Sequence, residues 1–188
     1  GKFTMYEESV AVPLILSGDG VPQGQICDDP VTLVDCYPTI VEAVGEPLSE
    51  DEQRLPGDSL WPIAAGNGLG RYAFSEYHAV GSLGASYMIR QGRYKYVHYV
   101  DAPAQLFDLQ SDPQEIMDLA ANSELATIRE QMESTLRDLL DPLAVDAMAK
   151  QDQGDLIDRH GGRENVLSRG TFVNSPVPGE DPTYTAQQ

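Results

Sequence analysis

Basic residues are scarce in this chain: twelve lysines and arginines stand against thirty aspartates and glutamates, a formal net charge of -18. Such a surplus repels nucleic-acid phosphates and anionic membranes, so neither is expected as a partner. A single local cationic site remains compatible with binding a small anion. Cysteine is also scarce, Cys27 and Cys36 being the whole complement. Two thiols cannot build a disulfide framework, which favours a reducing compartment and a cytoplasmic location. No run reaches the ~18 apolar residues of a membrane span. There is no Gly-x-x-x-x-Gly-Lys loop, no strand-glycine-helix fingerprint, no internal repeat and no low-complexity tract. His78, His98 and His160 lack ligand spacing such as His-x-x-x-His, so no metal site is expected from this chain alone.

What is present is ordinary globular material, 188 residues at 41% hydrophobic, enough for a domain with a sizeable core. Val10 to Leu16 is a nearly continuous apolar run, the pattern of a strand covered on both faces, with Pro13 placing it at an end or edge. Gly18-Asp19-Gly20 closes it. From Asp35 the pattern becomes helical, with Tyr37, Ile40, Val41 and Val44 on one face and Gly45 as terminator. Glu46 to Gly70, rich in glycine, proline and acid, reads as a connector.

The period then changes. Tyr72 to Tyr77, Ala85 to Arg90, Arg93 to Val100 and Leu106 to Leu109 read as strands of a small antiparallel sheet, with Gln91-Gly92 as a hairpin turn. Asn122 or Ser123 caps a helix whose Leu125, Ile128, Met132, Leu136 and Leu139 should cover that sheet. A second helix starts at Asp141-Pro142 and runs toward His160-Gly161-Gly162. The last eighteen residues, with Pro176, Pro178 and Pro182, read as extended and irregular.

Three segments carry a family resemblance, in order. Lys2 followed by Tyr6-Glu7-Glu8-Ser9 and the apolar run resembles the passage after the metal-binding region of sulfatases. Val31-Thr32-Leu33-Val34-Asp35-Cys36-Tyr37-Pro38-Thr39-Ile40 looks like that family's Leu-Val-Asp-Leu-x-Pro-Thr helix. Gln105-Leu106-Phe107-Asp108-Leu109-Gln110-Ser111-Asp112-Pro113-Gln114-Glu115 with Asp118-Leu119-Ala120 is similar to its carboxy-terminal Leu-Tyr-Asp-Leu-x-x-Asp-Pro-x-Glu-x-x-Asn-Leu-Ala run. The resemblance spans roughly Lys2 to Leu140. It is closest to the sulfatase and phosphonate monoester hydrolase branch of the alkaline-phosphatase superfamily.

This resemblance implies an α/β fragment, an alkaline-phosphatase-like core strand and helix, followed by an α+β subdomain with a small antiparallel sheet packed by helices. Residues 1–66 would belong to the catalytic α/β core, 70–140 to the antiparallel subdomain and 141–188 to a helical extension and tail. Gly1 is not an initiating residue, so upstream sequence, with any signal peptide, is expected. The implied parent cleaves sulfate, phosphate or phosphonate esters with a formylglycine nucleophile and a divalent cation (Ca, Mg or Mn), both contributed upstream. Its partners would be the amino-terminal half of the same enzyme or a second copy, and a small anionic ester.

Lys2 is the residue the resemblance places on the substrate's anion. An ammonium group suits a tetrahedral sulfate or phosphate whose charge shifts in the transition state, although an exposed terminal lysine is the commoner role of such a residue. His78 ends a strand before a glycine-containing loop, where a substrate contact competes with a structural histidine. His98 alternates with Tyr94 and Tyr96 and reads as packing, and His160 suits a helix C-terminus. Cys36-Tyr37-Pro38-Thr39-Ile40 imitates the Cys-x-Pro-x-Arg formylglycine motif, but Ile40 replaces its arginine, so Cys36 reads as a small buried side chain. The chain also has Ala11 where the family often has arginine. The rival reading is a noncatalytic binding or assembly module derived from a truncated sulfatase.

Lacking a nucleophile and metal ligands, the purified chain should not turn over aryl sulfates or phosphates, with or without divalent metals. Metal-dependent turnover abolished by substituting Cys36 would contradict this.

Overall fold

A computed structural model describes residues 3–68, 70–79, 82–172, 179 and 184–185. In chain order its elements are α1 (Glu7–Val10), α2 (Cys36–Ala43), α3 (Trp61–Ala64), β1 (Tyr72–Tyr77), β2 (Ser86–Gln91), β3 (Tyr94–Tyr99), β4 (Gln105–Asp108), α4 (Ala126–Leu139), α5 (Pro142–Arg159), α6 (Arg163–Ser168), β5 (Thr171–Phe172) and β6 (Tyr184–Thr185). Two compact units divide between Pro142 and Leu143.

In the first unit, β1 to β4 form a four-stranded antiparallel meander in sequence order. The expected strands are there, each within a residue of its expected bounds. The hairpin is shifted by one: Gln91 pairs with Tyr94, leaving Gly92-Arg93 as the two-residue turn. Gly92 sits at φ +55°, a left-handed value that L side chains rarely adopt, which places the glycine first in the turn.

Paired residues of an antiparallel sheet project to the same face, so the register sorts the core into two layers. Tyr87 with His98, Ile89 with Tyr96, and Tyr96 with Leu106 share one face. That face meets α4 through Met132 and Leu136, both buried. Asn122 starts this helix, its Oδ1 accepting the Glu124 N–H at 3.0 Å in a preceding 3-10 turn. Leu139 stands exposed, so the apolar stripe ends at Leu136. On the opposite face Met88, Val97 and Met5 form a buried cluster flanked by Val10, Tyr77 and Tyr99. Burial of each such large side chain contributes about 1.5–3 kcal/mol. The sheet therefore lies between a helix from one end of its sequence and a short segment from the other.

The strand expected over Val10–Leu16 is absent. Val10 closes α1, and Ala11 to Leu16 is exposed, Ile15 to 85%. An apolar run becomes a strand only where a neighbour takes up its backbone hydrogen bonds, and no described residue pairs with it. The apolar face of α2 is likewise open, with Ile40 and Val44 exposed. Its other face is closed: Leu60 N–H donates to Thr39 Oγ1 at 2.9 Å and Trp61 Nε1 to the Thr39 carbonyl at 3.3 Å. Cys36 is half-buried rather than enclosed, and both cysteines are free.

In the second unit α5 ends before Gly161 and Gly162, which take φ of +87° and +88° and whose N–H groups close onto Asp158 and Ile157 carbonyls. α6 was not foreshadowed by the periodicity. Within the stretch expected to be irregular, Thr171 pairs with Thr185 and Phe172 with Tyr184. Among the described residues, no helix is long and apolar enough to cross a membrane.

Exposed apolar surface on Ala11–Leu16 and α2 should make the isolated chain self-associate or bind a hydrophobic dye. Sedimentation with dye titration tests this; a compact monomer that binds no dye would contradict it.

Candidate functional site

Lys2 lies outside the described residues. The segment that follows it is held by a dense set of contacts. Phe3 meets the Tyr77 ring at 6.1 Å between centroids, Met5 is 2% exposed, and Tyr6 meets Phe107 at 5.8 Å. Gln105 Nε2 donates to Tyr6 Oη at 3.2 Å. The next residue, Glu7, joins a charged cluster. Lys95 Nζ lies 2.9 Å from Glu7 Oε1 and 2.6 Å from Glu115 Oε1, while Arg90 Nη1 lies 3.4 Å from Glu7 Oε2. The Lys95–Glu115 approach is an ion contact without hydrogen-bond angles, so Glu115 Oε1 accepts no hydrogen bond. Glu115 Oε2 accepts the Glu7 N–H at 2.6 Å. Lys95 is wholly buried, and Glu115 is nearly so.

Glu115 has φ +54°, a conformation that costs a non-glycine residue about 1–3 kcal/mol and persists only where surroundings hold it. Its two carboxylate contacts are that hold. The lysine at Lys95 gave no signal in the sequence, since lysine on a strand ordinarily reads as solvent-facing. The Asp112-Pro113-Gln114-Glu115 run was visible as a family mark with no role attached.

His78 follows β1, with Nε2 3.2 Å from Glu76 Oε2 and its ring edge-on to Tyr87 at 5.4 Å. Tyr87 also touches His98 at 6.2 Å and donates its hydroxyl to the Pro142 carbonyl at 2.9 Å. This puts His78 on the α4 face of the sheet, opposite the face that carries the amino-terminal segment. The neighbours of the two candidates, Phe3 and Tyr77, are the residues that touch. His98 does more than pack: its Nδ1 lies 3.2 Å from Glu133 Oε2, which also accepts from Tyr96 Oη at 2.5 Å. Arg137 Nε donates to Glu133 Oε1 at 2.6 Å. Burial pushes the Glu133 carboxyl upward, but Tyr96, His98 and Arg137 outweigh it and hold its pKa below the usual value.

Asp35, fully buried, accepts Thr32 N–H at 2.7 Å, Asp58 N–H at 2.9 Å and Arg71 Nη2 at 2.7 Å. Desolvation raises its pKa, yet these donors win and hold it below the carboxylate range. A broad open groove of about 890 Å³ runs beside α2, lined in part by Glu42, Glu46 and Asp58. Its acidic lining opposes an anionic ester. Among the described residues no group of three or more His, Cys, Asp or Glu side chains is placed to hold a metal ion. The implied divalent cation thus finds no ligand set among the described residues.

The other cations of the first unit are engaged. Arg71 meets Asp35, Arg93 meets Asp108, Arg137 meets Glu133, Arg90 and Lys95 meet Glu7, and Arg129 donates to the Ala120 carbonyl at 2.6 Å. Arg54 makes only an exposed contact with Asp51 at 3.7 Å, worth little, in an acidic setting beside Glu52.

A family model described as N-sulphoglucosamine sulphohydrolase, C-terminal, matches residues 1–141. Arylsulfatase K of Danio rerio is 34% identical over 149 residues, 74% of this chain and 28% of that protein. Arylsulfatase K of Homo sapiens is 36% identical over 131 residues, 63% of this chain and 24% of that protein. The solved phosphonate monoester hydrolase of Silicibacter pomeroyi superposes with a TM-score of 0.59 at 25% identity, covering 73% of this chain and 30% of that one. The chain thus spans only about a quarter of the curated relatives' length.

Because the Glu133 pKa is depressed on folding, its stabilisation is complete above the ordinary value near 4.5 and fades as pH falls through the lower folded value. Urea melts from pH 7 downward should therefore show stability dropping below about pH 4.5, with a shallower drop in Glu133→Gln. An unchanged slope in the variant would remove Glu133 as a contributor.

Proposed function

The chain belongs to the family of N-sulphoglucosamine sulphohydrolase carboxy-terminal domains, and from that membership we propose that it is the carboxy-terminal part of a sulfatase-like hydrolase cleaving sulfate, phosphate or phosphonate esters. It supplies an anion-binding lysine, Lys2, and walls of the substrate pocket, and is not catalytic alone. Its partner is the amino-terminal half of the same enzyme, which brings the formylglycine nucleophile and the divalent cation. The observation that carries the reading is the family model's match over residues 1–141, a span that includes Lys2; the role of that lysine is what the resemblance implies.

The uncovered apolar residues of Ala11–Leu16 and α2 support the partner. Ile15, Ile40 and Val44 among them are well exposed, while the described sheet is covered on one face by α4 and on the other by the Met5 cluster. An adjoining α/β core would cover these residues and give the run after Ala11 a strand neighbour, which it has in no described residue. His78, already held by Glu76 and Tyr87, would contribute a hydrogen bond to the leaving group from the pocket wall.

The test uses the protein extended upstream in its own reading frame. It should turn over an aryl sulfate or a phosphonate monoester, and Lys2→Ala should lower kcat by about a hundredfold, the value of one charged stabiliser of a developing anion. Unchanged kinetics in a folded Lys2→Ala protein would make Lys2 a surface residue. An extended protein inert toward every ester class would favour a noncatalytic module.

A further inference from the structure

Arg90 and Lys95 are cross-strand partners on the face of the sheet that receives the amino-terminal segment. Two like charges directly opposite one another repel, and one of these is completely buried. Glu7 enters between them, Oε1 toward Lys95 and Oε2 toward Arg90. Glu115 closes the set from the turn after β4, meeting Lys95 with one oxygen and the Glu7 N–H with the other. Two cations and two carboxylates give a locally neutral cluster. Its members come from α1, two adjacent strands and a turn 108 residues along the chain from Glu7.

The consequence concerns reach. Residues 3–7 are fixed to the sheet at Phe3, Met5, Tyr6 and Glu7, and Lys2 is bonded to the first of them. Of the four, only Glu7 is fixed by charge, and its partner Lys95 has no alternative route to solvent. We infer that Lys95, clamped between Glu7 and Glu115, is a positioning residue for the proposed anion site: it holds the segment from which Lys2 reaches the substrate. This inference rests on the reading of Lys2 given above. The carboxy-terminal sheet then acts on catalysis at a distance, by setting where an ammonium group begins.

The experiment has two arms, both built on Glu115→Asn. Asparagine tolerates the left-handed backbone, cannot reach Lys95, and leaves Lys95 paired with Glu7. In the first arm, hydrogen exchange on this chain should quicken about tenfold or more at the Glu7, Val10 and Ala11 amides, with Ile89 and Tyr96 amides unchanged. Unchanged exchange at Glu7 to Ala11 overturns the clamp.

In the second arm, the upstream-extended enzyme carries Lys2→Ala, Glu115→Asn and both. Glu115→Asn alone should lower kcat about tenfold or more, as expected of a slight misplacement, and should lower it by less than twofold once Lys2 is alanine. Losses that multiply in the double variant overturn the inference, because a purely structural role acts regardless of Lys2. Unchanged turnover in Lys2→Ala overturns the anion-site reading and the inference with it, whatever the first arm shows. If Glu115→Asn does not fold, Glu7→Gln, which keeps the Lys95–Glu115 contact, takes its place in both arms.

Discussion

Lys95 is wholly enclosed and stands opposite Arg90 in the register of β2 and β3. An ammonium group removed from water costs several kcal/mol unless counter-charge meets it. Neither strand supplies that charge on this face, so carboxylates arrive from Glu7 and Glu115, on either side of the sheet in sequence. The same two residues seat their own segments: Glu7 belongs to the stretch whose Met5 completes the core on Met88 and Val97, and Glu115 to the turn that leads toward α4. Removing either carboxylate would leave buried positive charge underpaired and release one layer of the sandwich. One electrostatic requirement thereby fixes how three distant parts of the chain close on each other.

The same logic recurs in the segments that carry the family resemblance. Glu7, Asp35 and Glu115 all sit within those segments, and each acts as a buried or partly buried anchor rather than as a reacting group. Asp118 joins them, taking the Leu106 and Ala120 N–H groups at 3.1 and 2.9 Å. Asp108 is held by Arg93 first and also accepts from Ser111 and Gln110, against a smaller opposing effect of burial, which together keep its pKa down to about 2. The marks by which the family is recognised are marks of how this fold closes. They identify the relatives firmly and say little about the ester that is cleaved.

This division explains what the sequence made legible. The four strands, the capped helix α4 and α5 follow from periodicity, turn residues and caps, because each is stabilised mostly by neighbours within its own stretch or the next. The Val10–Leu16 strand failed for the converse reason: its apolar pattern is real, but a strand needs a partner ladder, and pattern alone cannot supply one. The hairpin turn moved by one residue because backbone sign at Gly92, not composition, selects the turn. Lys95 and Arg71 were silent, since a buried cation is recognisable only when its distant carboxylates are in place. Lys2, the proposed anion-binding residue, was legible through resemblance alone.

Cation engagement gives the proposed site its physical limit. For any arginine of the sheet unit to bind an anion it would have to leave a partner, and for Arg71 that partner is a fully buried carboxylate held below its usual pKa. Stripping Asp35 of its guanidinium leaves a buried charge with only two N–H donors, a loss of about 3–5 kcal/mol for a broken buried pair. A sulfate or phosphate bound there would need to offset that loss before gaining anything. A cation outside such pairs would face no such cost, which is the physical sense of the Lys2 proposal. The charge pattern thus sets the cations that hold the sheet unit shut, Arg71 on Asp35 and Lys95 on Glu7 and Glu115, apart from any that a ligand could recruit at low cost.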